Sequence, residues 1–142
     1  MQRVRRYGTA VVILHAIVLA PHALAHQAIP VVMPPVESAF IALVIVLAPL
    51  VAAGLLWTRL AWAGAGLLLA SMGGSLAFGL YYHFLLLGPD NVVQAPADRW
   101  GLLFQASAVL LAVTEALGCW VAGWILALTR IRTGHPRAVE AA

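Results

Sequence analysis

The sequence predicts an all-α integral membrane protein: an antiparallel bundle of four transmembrane helices. Three observations carry that reading. Of 142 residues, 63% are hydrophobic and 9% charged, against roughly half and a quarter in a soluble domain. Four long stretches hold almost no charge. Seven of the eight arginines fall on one side of a four-span topology, and one on the other. This composition excludes an ordinary soluble globule, a disordered chain and a nucleic-acid-binding domain. The pI near 9.8 reflects a small set of charges, eight basic against five acidic, rather than a basic patch. Cys119 is the single cysteine, so neither an intramolecular disulfide nor a cysteine-pair metal site is available.

The whole chain, 1–142, reads as one transmembrane domain with spans near 8–28, 38–57, 60–87 and 101–128 and a cytoplasmic tail over 129–142. His15, Pro21 and His22 interrupt the first span. The second has no ionisable residue within Ala39 to Trp57. The third ends on His83, and the fourth carries Glu115. Each is long enough at 1.5 Å per residue to cross about 30 Å of hydrocarbon. Backbone satisfaction in lipid allows helices or closed barrels, and these runs lack the alternation of barrel strands.

Arginine placement gives the direction of the spans. Arg3, Arg5 and Arg6 precede the first, Arg59 links the second to the third, and Arg130, Arg132 and Arg137 follow the fourth. Only Arg99 lies on the opposite side, with Asp90 and Asp98. Both termini are therefore expected in the cytoplasm of a prokaryotic plasma membrane, with loops near 27–36 and 88–100 outside. Tyr7, Trp57, Trp62 and Trp124 would mark the inner interface, and Tyr81, Tyr82 and Trp100 the outer one. Pro30, Pro34 and Pro35 stiffen the first outer loop. Gly88-Pro89-Asp90-Asn91 reads as a turn, and Asp98 as the N-cap of the fourth helix.

The N-terminus also has the parts of a secretory signal: Arg3 to Arg6, an apolar run over Ala10 to Ala20, and Ala23-Leu24-Ala25 before His26. Cleavage after Ala25 would leave three helices and place the mature N-terminus outside. His15 within the apolar run argues for a retained helix. Small residues recur every four positions in Gly66–Ala70–Gly74, in Ser71–Ser75–Gly79 and in Ala108–Ala112–Ala116. Such rows let helices approach closely in lipid. Pro21 and Pro49 are expected to kink their helices.

The remaining ionisable groups form two sets. His15, His22 and His26 are spaced by 7 and 11 positions from the first. At about 100° per residue they share one helix face. His22 and His26 lie at the outer end, where Glu37 opens the second helix, His83 closes the third and Asp90 follows. Histidine nitrogens and carboxylate oxygens without thiolate suit Zn(II), Cu(II), Fe or Mn, which makes His22, His26, His83 and Glu37 candidate metal ligands. Alternatively, His22 and His83 are candidate axial ligands of haem b, with the small-residue row below His83 leaving room for the ring. The second set is His15 and Glu115, both near mid-membrane. A lone carboxylate there costs roughly 2.5–3.5 kcal/mol on insertion scales, so the two are expected to pair inside the bundle.

No phosphate-binding loop, nucleophile elbow or zinc-protease motif is present, and the expectation is a non-enzymatic protein. Three functions follow as expectations. One is binding of a transition metal (Cu, Zn or Fe) or haem for metal handling or membrane redox and maturation. Another is a non-catalytic structural or assembly subunit, its partners the lipid bilayer and other membrane subunits or further copies of itself. The third is proton-coupled transport through Glu115 and His15.

Overall fold

The computed structural model describes residues 2–29 and 31–133, and its regular structure is helical throughout. Four helices are long and apolar enough to cross a membrane: α1 (Gln2–Ala28), α2 (Pro35–Leu56), α3 (Ala61–Leu85) and α4 (Arg99–Thr133). α4 thus runs beyond Thr129, where the sequence suggests a tail; His135 and Arg137 lie outside the described residues.

The helix ends follow from local chemistry. Proline opens α2, with Pro34 before it and Pro35 in its first turn, where the missing N–H would have had no helical acceptor. A four-residue link joins α2 to α3. Thr58 holds it by donating its hydroxyl to the Leu55 carbonyl and accepting the Leu60 N–H. Asp98 caps α4, its Oδ1 accepting the N–H groups of Trp100 and Gly101 at 2.9 Å. At Gly101 a Cβ would collide with the Pro96 carbonyl, so glycine lets the incoming loop lie against the first turn.

Two stretches widen from α to π geometry, Ile41–Leu47 in α2 and Leu80–Leu85 in α3. The first leads directly into Pro49. A proline offers no N–H to the preceding turn, and the hydrogen-bond ladder ahead of it has shifted by one residue, so that the Ala48 N–H reaches the Leu43 carbonyl. The helix absorbs Pro49 by loosening. Pro21 lies within the continuous α1. In the second stretch the Leu86 N–H bonds to the Tyr81 carbonyl at 2.7 Å, and His83 is buried within that wide turn. Such turns are frequent at functional sites because they re-aim side chains.

The core has two parts. One lies where Val4, Val11 and Val12 of α1 meet Leu56 of α2, Leu68 and Met72 of α3, and Ala122 and Ile125 of α4. The other gathers Ala25, Ile29 and Phe104, with Val92 and Trp100 packed against them. Small residues mediate the closest approaches, though not along every row the spacing suggested. The Ser71–Ser75 row is buried, whereas Ala70 and Ala116 are exposed and a Cβ on Gly66 would meet nothing within 4 Å. The tight position is Gly64, where a Cβ would stand 2.9 Å from both Leu55 Cβ and the Leu56 backbone nitrogen. Backbone atoms cannot retreat as a side-chain tip can. Gly64→Ala should therefore destabilise the protein by about 1–3 kcal/mol, while Gly66→Ala leaves stability unchanged or slightly raised. Thermal unfolding of the two variants side by side in one detergent measures this.

Candidate metal centre

His22 and His26 stand one helical turn apart near the end of α1, and the wide turn of α3 brings His83 to them. One ring nitrogen from each of the three lies within 4.8 Å of the others. His22 and His83 are buried, and His26 is partly exposed, its side chain 22% accessible. Their rings pack edge to face, His22 to His26 with centroids 4.7 Å apart and His22 to His83 at 5.0 Å. Phe104 of α4 touches all three, at 5.3 Å from His22, 5.1 Å from His26 and 5.3 Å from His83. It walls one side of the group with hydrocarbon.

The hydrogen bonds settle the tautomer of His83 and constrain those of His22 and His26. His22 Nδ1 lies 2.9 Å from Ser107 Oγ. That hydroxyl has one hydrogen, and its donor geometry is to the carbonyls of Leu103 and Phe104 in its own helix. When that hydrogen goes to its own helix, the hydroxyl offers a lone pair to His22, Nδ1 carries the ring proton and Nε2 is unprotonated. His83 Nδ1 lies 3.0 Å from the Asp90 carbonyl oxygen, which can only accept, so His83 has the same tautomer. His26 Nε2 is 3.1 Å from His22 Nε2. Between two imidazole nitrogens at that distance one proton must sit, and with His22 Nε2 unprotonated it belongs to His26. A metal ion would take the place of that proton. Imidazoles held through Nδ1 by an oxygen acceptor, with Nε2 turned inward, are the usual outer-shell arrangement of a metal site.

Asp90 supplies negative charge. Its Oδ1 is 3.3 Å from His26 Nε2 and its Oδ2 is 3.4 Å from His83 Nδ1. Both oxygens are buried without a hydrogen bond among the described residues. The carboxylate beside the histidines is thus Asp90, whereas the expected ligand set has Glu37. Glu37 instead accepts the Tyr82 hydroxyl at 3.3 Å, at the start of α2. The reason lies in the loop: Asn91 N–H bonds to Gly88 O and Val92 N–H to His83 O, each at 2.9 Å. These bonds fold the chain back so that Asp90 lies over the histidines.

The haem arrangement does not fit these residues. Two axial imidazoles need an open plane for the macrocycle between them, whereas His22 and His83 touch, with His26 and Phe104 packed against both. The three histidines could hold a metal ion.

His15 and Glu115 meet away from this group, His15 Nε2 lying 3.4 Å from Glu115 Oε1 with both side chains buried. Ser75 of α3 donates its hydroxyl to the same oxygen. A cavity of about 310 Å³ extends from His22, His26 and His83 to Ser75 and Glu115.

Sequence reasoning missed Phe104, Ser107 and Asn91. The signal for the first two is their helical spacing with Ala108, Leu111 and Glu115, which marks the inward face of α4. Comparison with protein families, curated proteins and solved structures finds no match. The chemistry of the site is read from these residues alone.

Asn91 holds the Asp90 loop with its side chain, Nδ2 donating to Leu86 O at 3.0 Å and Oδ1 accepting from the Val93 N–H at 2.9 Å. It is 1% exposed. Asn91→Ala should release these bonds at a cost of about 1–3 kcal/mol. Amide hydrogen exchange should speed up over residues 86–93 and stay unchanged in α1 and α2, which mass spectrometry of exchanged peptides resolves.

Proposed function

We propose that this is an integral membrane protein whose four helices form an antiparallel bundle. At its extracytoplasmic end it holds one divalent transition-metal ion, for metal handling. The supporting observation is the convergence of three imidazoles, one ring nitrogen of each within 4.8 Å of the others, with His83 held through Nδ1 on a carbonyl so that its Nε2 keeps a lone pair. Three nitrogens with an adjacent carboxylate and no thiolate favour Zn(II) or Cu(II) over Cu(I). Asp90 lowers the cost of holding a dication among apolar side chains. His26, the most accessible of the three, is the first ligand an ion from outside would meet.

The same reading places the seven arginines near the inner membrane face and both termini in the cytoplasm, following the arginine bias of cytoplasmic loops. It also requires a retained first span. Cleavage after Ala25 would remove His22 and His15 together, along with Val4, Val11 and Val12 from the core. The intact mass of the purified protein should therefore include residues before His26; a mass starting at His26 rules out the three-histidine site.

Chelator-stripped protein titrated with Co(II) should take up one ion per chain and show visible d–d absorption, displaced by Zn(II). In His83→Ala, affinity should fall by more than the roughly 10- to 100-fold that loss of an outer-shell partner costs. Asp90→Asn should fall within that range. No stoichiometric uptake of Co(II), Zn(II) or Cu(II) by the wild-type chain overturns the reading.

A further inference from the structure

The cavity below the histidines has a second polar end, which the metal centre does not use. We propose that it is a binding site for a small lipid-soluble alcohol or phenol, held at Glu115. The volume of about 310 Å³ lies at the lower end of the range for small-molecule sites, roughly 300–1,000 Å³. The walls are hydrocarbon: Leu19 of α1, Ile41 and Ile45 of α2, Phe78 of α3, and Leu111 and Ala112 of α4. Two of these, Ile41 and Ile45, belong to the widened turn of α2.

Glu115 supplies the polar anchor, and its two oxygens are differently placed. Oε1 takes the Ser75 hydroxyl and faces His15 Nε2 at 3.4 Å. Oε2 looks towards Gly79, lying 3.9 Å from where a Cβ on that glycine would stand. His83 Cδ2 lies 3.8 Å from the same point. Glycine thus keeps the gap between the carboxyl group and the histidines clear of a side chain. Glu115 as a residue is 3% exposed and lines the cavity, so a partner for Oε2 would come from the cavity.

The walls and the anchor together select the occupant. A route for bare ions is lined by carbonyls or charged side chains, and an isolated charge among aliphatic walls is costly. A purely apolar guest suits the walls but buries Oε2 unpaired. A hydroxyl both donates and accepts, so it satisfies the carboxyl group in either protonation state, while the rest of the molecule fills the hydrocarbon space. The site goes beyond the metal reading and does not rest on it, because Glu115 and the hydrocarbon walls named above are not metal ligands, although the three histidines line the other end of the same cavity.

The test uses the full chain in detergent with chelator present, 1-naphthol as probe and naphthalene as the same shape without the hydroxyl. Ligand that binds the folded state raises the unfolding temperature with concentration. The expected result is a saturable rise with 1-naphthol, with naphthalene at least about tenfold weaker. Glu115→Gln should weaken 1-naphthol by about tenfold, since a neutral acceptor replaces a carboxyl group. Ala112→Phe, which fills the cavity from α4, should abolish the shift while circular dichroism shows the helices retained. Should Glu115→Gln fail to fold, the naphthalene comparison and Ala112→Phe decide the matter. Equal shifts from the two probes, an undiminished shift in Ala112→Phe, or no shift in the wild-type chain overturns the proposal. None of these outcomes touches the Co(II) titration, so the two readings fail separately.

Discussion

A serine hydroxyl has one hydrogen to give, and that of Ser107 is directed at the backbone of α4. With its hydrogen used there it accepts from α1, an arrangement that puts the His22 proton on Nδ1 and leaves a lone pair on Nε2. His26 then has to carry the shared proton at 3.1 Å, and Asp90 faces a donor rather than a second lone pair. The contact joins α1 to α4 across 85 positions of sequence. It therefore orders the tertiary structure and the protonation pattern of the site in one bond.

The two widened helical turns have related roles on opposite sides of the cavity. In α2 the widening accommodates Pro49 without a break, and it leaves Ile41 and Ile45 facing the cavity. In α3 no proline forces it. The wide turn there ends at the Asp90 loop, whose Val92 N–H bonds to the His83 carbonyl. A regular α-helix offers its last carbonyls no internal partner; here a loop residue supplies one for His83. The irregularity of the helix end and the position of Asp90 are thus one feature.

Much of this was legible in the sequence, for reasons that can be named. Spacings of 7 and 11 residues return to one helix face, so the alignment of His15, His22 and His26 needs only the helical period. Depth follows from rise per residue, which brings His15 level with Glu115 and His83 level with His22. The carboxylate at the histidines was not legible. Glu37 and Asp90 lie at similar depth, and the choice depends on backbone hydrogen bonds in a loop, which no periodicity encodes. The small-residue rows include Gly66, where a Cβ would meet nothing within 4 Å, and omit Gly64, which lies against the α2 backbone.

The two polar groups differ in how complete they are. At Glu115, Ser75 donates to Oε1 and His15 stands 3.4 Å from it, which ties α1, α3 and α4 together while Oε2 stays turned towards Gly79 and the cavity. At the outer end, Asp90 has two buried oxygens near imidazoles but outside hydrogen-bond geometry. A buried acceptor left unpaired costs about 1–3 kcal/mol, more when charged. A fold stabilised for its own sake would place an apolar residue there or extend a donor to it, as it does for Glu115. Asp90 is instead held in place by a loop whose hydrogen bonds are complete. The backbone of the loop is satisfied and the carboxylate is not, which supports the proposed metal site.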